Sequence, residues 1–153
     1  MTITQFILTL RLPEADNPSV LELILEIADS SITYRSRYNV LPNMAAVYDL
    51  VLMDDTNPRS LRFQFDQLLK HYDRLPRVRD SALPDPAQRL LIECVARLRL
   101  LDPRELVESG ARWRESDTAR VLRHVVRSVP KFSDALAASY FAHSSISRTG
   151  RVN

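Results

Sequence analysis

Glycine is nearly absent from this chain of 153 residues, which has only Gly110 and Gly150. Phosphate-binding loops of the Walker and Rossmann types need closely spaced glycines, because their backbone N–H groups must come close to the phosphates. Neither loop is present. The sequence therefore argues against a nucleotide site of either kind within the chain, and we expect no cofactor.

Cysteine and histidine are also scarce. The single cysteine, Cys94, lies in an apolar helical pattern, where a small buried side chain is the usual interpretation, and it has no disulfide partner within the chain. His71, His124 and His143 are far apart, and no His-x-x-x-His or cysteine pair offers the spacing of metal ligands. A Gly-x-Ser-x-Gly nucleophile motif is absent as well. We therefore predict neither a metal site nor a standard nucleophile.

Long apolar runs and a large net charge are missing too. No apolar run reaches the roughly 18 residues that a membrane span needs, and the apolar opening lacks the features of a signal peptide. The formal net charge is only +2, and the arginines that supply nearly all the cations are scattered through all the predicted helices except residues 43–53. A nucleic-acid interface would gather them on one face. We expect a cytoplasmic protein that binds neither membrane nor nucleic acid.

Pairs of an amide or acid followed by proline recur along the chain. They are Asn17-Pro18, Asn57-Pro58, Asp85-Pro86 and Asp102-Pro103. Each pair predicts a helix start, because the side chain can accept from first-turn N–H groups and proline suits the first helical position. Gln88 and Glu105 follow two of the caps by three residues and complete capping boxes.

The spacing of apolar residues predicts helices over residues 18–38, 43–53, 58–75, 86–101 and 117–143. A shorter helix runs from residue 103 towards Gly110, and we expect the last helix to break or kink near Pro130. Residues 1–17 favour an irregular or extended arm, residues 18–146 form the helical domain, and residues 147–153 form a flexible tail. The predicted fold class is therefore all-α, a single bundle of about five to six helices.

The end of the first predicted helix has an unusual composition. If the helix is continuous, Ser31, Tyr34 and Tyr38 fall on the face that is apolar further upstream, and Arg35 and Arg37 lie beside them. A second polar group follows in the connection between the second and third helices. It consists of Asp54, Asp55, Asn57 and Arg59.

Three interpretations of these two groups remain open. In the first interpretation, the two groups are ordinary helix ends joined in a buried polar network, since Arg–Asp hydrogen bonds are strong and fix geometry. Alternatively, they form a ligand or partner site. A third alternative is catalysis on a peptide or amide, with Tyr34 or His143 as acid/base and Arg35, Arg37 or Arg59 holding a carboxylate.

Three blocks of the sequence point to a family. They are ADSSITYRSRY at residues 28–38, VYDLVLMDDTNPRSLRFQ at residues 47–64 and SDALAASYFAH at residues 133–143. In this order they resemble the C-terminal half of the bacterial alpha-E domain family, a predicted all-helical domain named for a Glu-Arg motif. The resemblance covers roughly residues 18–143.

The resemblance implies partners rather than a reaction. Family members look like companions of circularly permuted ATP-grasp ligases and transglutaminase-like proteins, in systems thought to make or modify peptides by ATP-dependent amide formation. On this basis we expect a noncatalytic helical partner module. An enzyme or substrate-binding subunit that uses the Arg/Tyr signature is the alternative.

One departure from the family is clear. No Glu-Arg dipeptide occurs in this sequence, and residues 1–17 do not look like the helices that carry it. We therefore expect a truncated member or an independent subunit. Apolar rows left uncovered in it would associate with a partner chain or a second copy.

Overall fold

The computed structural model describes residues 17–38, 41–76, 83–102 and 110–141, together with Thr4, Ile7, Arg104, Glu105 and Glu108. Within these residues the fold is all-α and contains no strand, as predicted. Six α-helices have defined bounds. They are α1 (Pro18–Ile27), α2 (Ser31–Tyr38), α3 (Met44–Tyr48), α4 (Leu61–Tyr72), α5 (Pro86–Arg99) and α6 (Asp117–Phe141). A π-helix, Asp49–Met53, continues α3, and a 3₁₀ helix, Gly110–Glu115, precedes α6.

Three of the predicted N-terminal caps are confirmed by their hydrogen bonds, among them Asp102, whose side chain accepts from the Arg104 N–H at 2.9 Å. The Asn17 side chain accepts from the Ser19 N–H at 2.9 Å, and the Asp85 side chain accepts from the Gln88 N–H at 2.9 Å. The prediction that Asn57 caps the third helix is wrong. Ser60 caps α4 instead and accepts from the Phe63 N–H at 3.0 Å, because the Asn57 amide is turned into the protein interior.

The prediction of one continuous helix over residues 18–38 is also wrong, because the chain turns at Asp29. The Ser30 N–H donates to the Leu25 carbonyl at 2.8 Å, and the Asp29 N–H donates to the Glu26 carbonyl at 2.9 Å. These two bonds are those of a Schellman motif, which ends a helix with one residue in the left-handed region. Asp29 is that residue, with φ of 49°.

The turn changes which face of the second segment is buried. In a continuous helix, Ile32 would lie beside the apolar face of the upstream turns, but it is 85% exposed. Tyr34, in contrast, is buried as predicted, since it is 1% exposed and packs in the core. The predicted phase of the apolar pattern therefore holds at Tyr34 and fails at Ile32, because α2 is a separate helix that begins after the turn.

The core lies where α1, the π-helix, α4, α5 and α6 meet. The most extensive packing joins α5 to α6, followed by α4 to α5, and the π-helix contacts both α4 and α5. All residues of the π-helix after Asp49 are buried. Val47, Leu50 and Val51, the apolar residues whose spacing predicts a helix over residues 43–53, are buried. The π-helix is thus held in the centre of the bundle, with the α1–α2 turn close to it.

The ends of the chain lie mostly outside the described residues. Thr4 and Ile7 are helical and fully buried, so at these two positions the structure differs from the predicted irregular or extended arm. The predicted tail, residues 147–153, and the candidate residue His143 lie outside the described residues.

The C-terminal region shows two further features. The sequence predicted a break or a kink near Pro130, and helix α6 runs through this residue without a break. At the start of α6, a Glu105 carboxylate oxygen accepts from the Asp117 N–H at 3.1 Å. The 3₁₀ helix begins at Gly110, the residue towards which the short helix predicted from residue 103 runs. Among the described helices, none combines the length and apolar character required to cross a membrane.

Candidate functional site

Asp54 is the centre of a polar network that joins α2 to the loop after the π-helix. One carboxylate oxygen accepts from the Thr56 N–H at 2.8 Å, the Thr56 hydroxyl at 2.7 Å and the Asn57 N–H at 3.2 Å. The other oxygen forms an ion pair with Arg37, whose second terminal nitrogen donates to the Thr56 hydroxyl at 2.8 Å. The Asp54 side chain is only 10% exposed. Arg37 therefore neutralises a largely buried carboxylate and fixes the loop against α2.

Asn57 connects the α1–α2 turn to the π-helix. Its side chain is buried, and its amide nitrogen donates to the Ser30 hydroxyl at 3.2 Å and to the Leu50 carbonyl at 3.0 Å. Its amide oxygen accepts from the Arg59 N–H at 3.1 Å. All three bonds are to groups of this chain. Because buried polar groups must be paired, Asn57 is a structural residue of this junction.

The two tyrosines of α2 also have partners within the chain. The Tyr34 hydroxyl donates to the Leu41 carbonyl at 3.3 Å and accepts from the Asn43 N–H at 3.3 Å. The Tyr38 hydroxyl donates to an Asp49 carboxylate oxygen at 3.2 Å, and the two rings lie 4.9 Å apart. Burial, and then the neighbouring Asp49, raise the pKa of Tyr38. This direction keeps the Tyr38 phenol protonated, which disfavours a role as a base near neutral pH.

Asp55 and Arg59 lie at the periphery of the network. Arg59 pairs with Asp29 at 2.7 Å, and both side chains are well exposed, at 60% and 76%. Asp55 pairs with Arg62 at 3.1 Å. Exposed ion pairs contribute little to stability, since water screens both charges. These two candidates are therefore surface residues of the junction rather than parts of an enclosed site.

Ser31 and Arg35 face a different environment from Arg37. They line a cleft of about 720 Å³ between α1, α2 and the segment that follows α2. Its lining residues are Glu22, Leu25, Glu26, Ser31, Tyr34, Arg35, Leu41 and Pro42. Within the described part of the chain, no ion pair or hydrogen bond engages the Arg35 guanidinium.

The structure thus brings the two predicted groups together but divides their members. Arg37 meets the connection through Asp54, and Tyr38 meets the π-helix through Asp49, whereas Ser31 and Arg35 do not take part. Sequence reasoning missed Ser30, Asp49 and Thr56. Thr56 alone carried a signal, because a residue two positions after an aspartate is the usual donor of an Asx turn.

A third polar cluster was missed as well, on α5 and α6. His124 Nε2 lies 3.3 Å from the Ser128 hydroxyl and 3.5 Å from a Glu93 carboxylate oxygen. Because one nitrogen faces both groups, the ring cannot relay a proton from the serine to the glutamate as a catalytic triad does. Burial raises the pKa of nearby Cys94, which opposes the thiolate form. Among the described residues, no group of three or more His, Cys, Asp or Glu side chains could hold a metal ion.

Comparison with known proteins gives relatives without an assigned activity. Uncharacterized proteins of Mycobacterium tuberculosis and Mycobacterium bovis are 34% identical to this chain over 134 residues. The aligned region is 88% of this chain but 15% of each relative, so the chain spans less than a sixth of their length. No solved structure matches.

A family model does match, over residues 1–141. It describes Alpha-E, a predicted alpha-helical domain with a conserved ER motif. The match starts at residue 1 and so includes residues 1–17, which the sequence analysis had set apart from the family domain. The chain nevertheless contains no Glu-Arg dipeptide. Since the match covers most of its length and the described residues are helical, this chain belongs to the Alpha-E family.

Proposed function

We propose that this chain is a noncatalytic helical partner module of a peptide synthesis or modification system. The system would contain a circularly permuted ATP-grasp ligase and a transglutaminase-like protein. One observation carries the noncatalytic part of the proposal. Tyr34, Arg37 and Tyr38, three of the polar signature residues of α2, bind groups of their own chain and hold α2 to the bundle.

The lengths of the relatives support a module. In the mycobacterial proteins, the region that aligns with this chain is 15% of a much longer polypeptide. A domain of this size that works beside other domains needs surfaces for them more than a reaction centre of its own. The most exposed large apolar side chains, Ile32, Leu41 and Leu100, are candidates for contacts with a partner protein or a second copy.

A second candidate function, a substrate-binding or enzymatic subunit, is favoured by the cleft beside Arg35. Its described lining residues include Ser31 but no histidine or cysteine. A serine is a weak nucleophile unless a base accepts its proton, and among the described residues no hydrogen bond joins the Ser31 hydroxyl to Glu22 or Glu26. The cleft therefore favours binding over catalysis. In this second candidate function the chain binds a substrate, whereas in the first it binds a partner protein.

The test uses the purified chain, alone and mixed with the circularly permuted ATP-grasp protein of the same organism. We expect the chain alone to release no ADP from ATP and to form no peptide bond. We expect the mixture to elute as a complex and to release ADP at a rate different from that of the ligase alone. ADP assays, mass spectrometry of products and light scattering after size-exclusion chromatography would measure these three outcomes.

Two results would contradict the proposal. Turnover of a peptide or amide by the chain alone would show an enzyme. Separate elution of the two proteins, together with an unchanged rate of ADP release, would show that the ATP-grasp ligase is not a partner of this chain. Arg97→Gln, a change on the exposed face of α5, is the control variant and should behave as the unaltered chain does, since the partner of Arg97 among the described residues is Glu93, one turn away.

A further inference from the structure

The cleft beside α2 has the size and lining of a small-molecule site. Ligand sites in proteins are typically about 300–1,000 Å³ and combine apolar walls with a few polar groups. This cleft of about 720 Å³ has Leu25, Leu41 and Pro42 as apolar lining and the Ser31 hydroxyl as a neutral polar group. Because Arg35 and Arg37 are two residues apart on α2, the cleft lies on a different side of α2 from the Asp54 network, although Tyr34, bonded to the Leu41 carbonyl, forms part of its wall.

The charges of the cleft are not used by the fold. Glu22 and Glu26 are one turn apart on α1, and Arg35 lies on α2. In the part of the chain that is described, these three side chains form neither ion pairs nor hydrogen bonds. Two like charges four residues apart on a helix weakly destabilise it, so the folded chain gains nothing from this pair of carboxylates.

We propose that this cleft binds a zwitterionic amino-carboxylate ligand, such as a short peptide with free ends. The Glu22 and Glu26 carboxylates would hold the ammonium group, and the Arg35 guanidinium would hold the carboxylate. The apolar wall would contact the body of the ligand. The proposal concerns the isolated chain, and it does not depend on the ATP-grasp partnership.

The other arginines of the signature do not fit this role. Arg37 neutralises the largely buried Asp54, and Arg59 pairs with Asp29. A carboxylate ligand at either guanidinium would compete with a partner already in place. Arg35 has no such competitor among the described residues, and its planar group suits a carboxylate.

The experiment is a titration of the ¹⁵N-labelled full chain followed by NMR. The probes are the dipeptide leucyl-leucine, its C-terminal amide, its N-acetyl form and the N-acetyl amide, which together vary the two charges separately. We expect leucyl-leucine to shift the Ser31 and Arg35 amide signals, with a dissociation constant of about 1 mM. Loss of either charge should weaken binding about tenfold, the effect of one charge-assisted contact.

Two variants connect each charge to its side chain. Arg35→Gln should bind leucyl-leucine and its C-terminal amide equally, while still preferring a free amino end. The double variant Glu22→Gln/Glu26→Gln should lose the preference for the free amino end and keep that for the carboxylate. Arg97→Gln, outside the cleft, should bind as the unaltered chain does.

Three outcomes would overturn the inference. They are the absence of shifts up to about 10 mM leucyl-leucine, ten times the expected dissociation constant, equal binding of all four probes, and shifts confined to other helices. None of these would affect the proposed noncatalytic role, which is judged by turnover and by complex formation with the ligase.

Discussion

Arg35 and Arg37 lie two residues apart on the same short helix and have opposite environments. Arg37 neutralises the largely buried Asp54, whereas Arg35 faces the open cleft without a partner among the described residues. Residues two apart on a helix do not share a face, so one segment can serve two surfaces. The Arg- and Tyr-rich signature is therefore not a single site. One side of α2 holds the fold together, and the other side is available to a ligand.

The two sides of α2 also differ in how well water solvates a polar group that has lost its partner. Around Asp54 and Asn57, polar groups are buried, so a lost partner leaves a desolvated group unpaired. At the cleft, Glu22, Glu26 and Arg35 are exposed, and water solvates each of them after any substitution. Stability should therefore respond to changes on the network side and be insensitive to changes on the cleft side.

The largest effect on the free energy of unfolding is expected at Asn57, whose buried side chain joins the α1–α2 turn to the π-helix. Asn57→Ala should lower the free energy of unfolding by about 2–4 kcal/mol, because the Leu50 carbonyl and the Arg59 N–H lose their partners. Asn57→Asp should be no better, since a carboxylate cannot donate to the carbonyl. Urea denaturation followed by circular dichroism measures both.

Asn17 is the matched control for that pair of substitutions. Its side chain only accepts, from the Ser19 N–H, so Asn17→Asp should leave stability unchanged. If Asn57→Asp were tolerated as well as Asn17→Asp, donation by the buried amide would not matter, and the network would lose its central link.

The same substitution at Asp54 and at its neighbour Asp55 should lower stability by different amounts. Asp54→Asn should cost about 1–3 kcal/mol, because Arg37 then faces an uncharged amide at a site with little water. Asp55→Asn should cost about 0.5 kcal/mol or less, since the Asp55 carboxylate is well exposed in its ion pair with Arg62. Equal denaturation midpoints for the two variants would contradict the special position of Asp54.

Asp29 tests the turn that separates the two helices. Because its φ of 49° is unfavourable for residues with a Cβ, Asp29→Ala should be less stable than Asp29→Gly by about 1 kcal/mol. Both variants lose the same exposed pair with Arg59, so the difference between them isolates the backbone. Thermal denaturation would measure it, and a more stable alanine variant would argue for a continuous helix.

Tyr38 gives the smallest effect and a dependence on pH. Tyr38→Phe should cost about 0.5–1 kcal/mol at neutral pH through the lost bond to Asp49. The raised pKa means that the folded chain keeps the phenolic proton longer than the unfolded chain does. Its contribution is therefore complete below the unfolded pKa of about 10 and is lost as pH rises above it. Stability measured from pH 8 to 11 should fall less steeply in the variant.

The sequence predicted the helical class and several helix starts because these depend on local chemistry. Asn17 and Asp85 act as caps wherever the chain goes next. Asn57 failed as a cap although its local signal was the same. The Leu50 carbonyl of the π-helix needs the donor that the Asn57 amide provides, and no pattern along the chain shows that need.

The break at Asp29 and the cleft could not be predicted for related reasons. A left-handed residue is usually glycine, and an aspartate there gives almost no signal. Missing the break placed Ile32 on the wrong face. The separation of Arg35 from the partners of Arg37 does not depend on the break, because residues two apart on any helix do not share a face. The cleft itself is formed by residues from α1, α2 and the segment after it, so it exists only in three dimensions.

The division of α2 into a structural side and an available side is tested most directly by Arg37→Gln and Arg35→Gln. Urea denaturation of the two variants makes the comparison under identical conditions. Arg37→Gln should lower the free energy of unfolding by about 1–2 kcal/mol, because Asp54 keeps a largely buried charge without its partner. Arg35→Gln should change it by less than about 0.5 kcal/mol, as exposed substitutions do. Equal losses, or a larger loss for Arg35→Gln, would contradict the division.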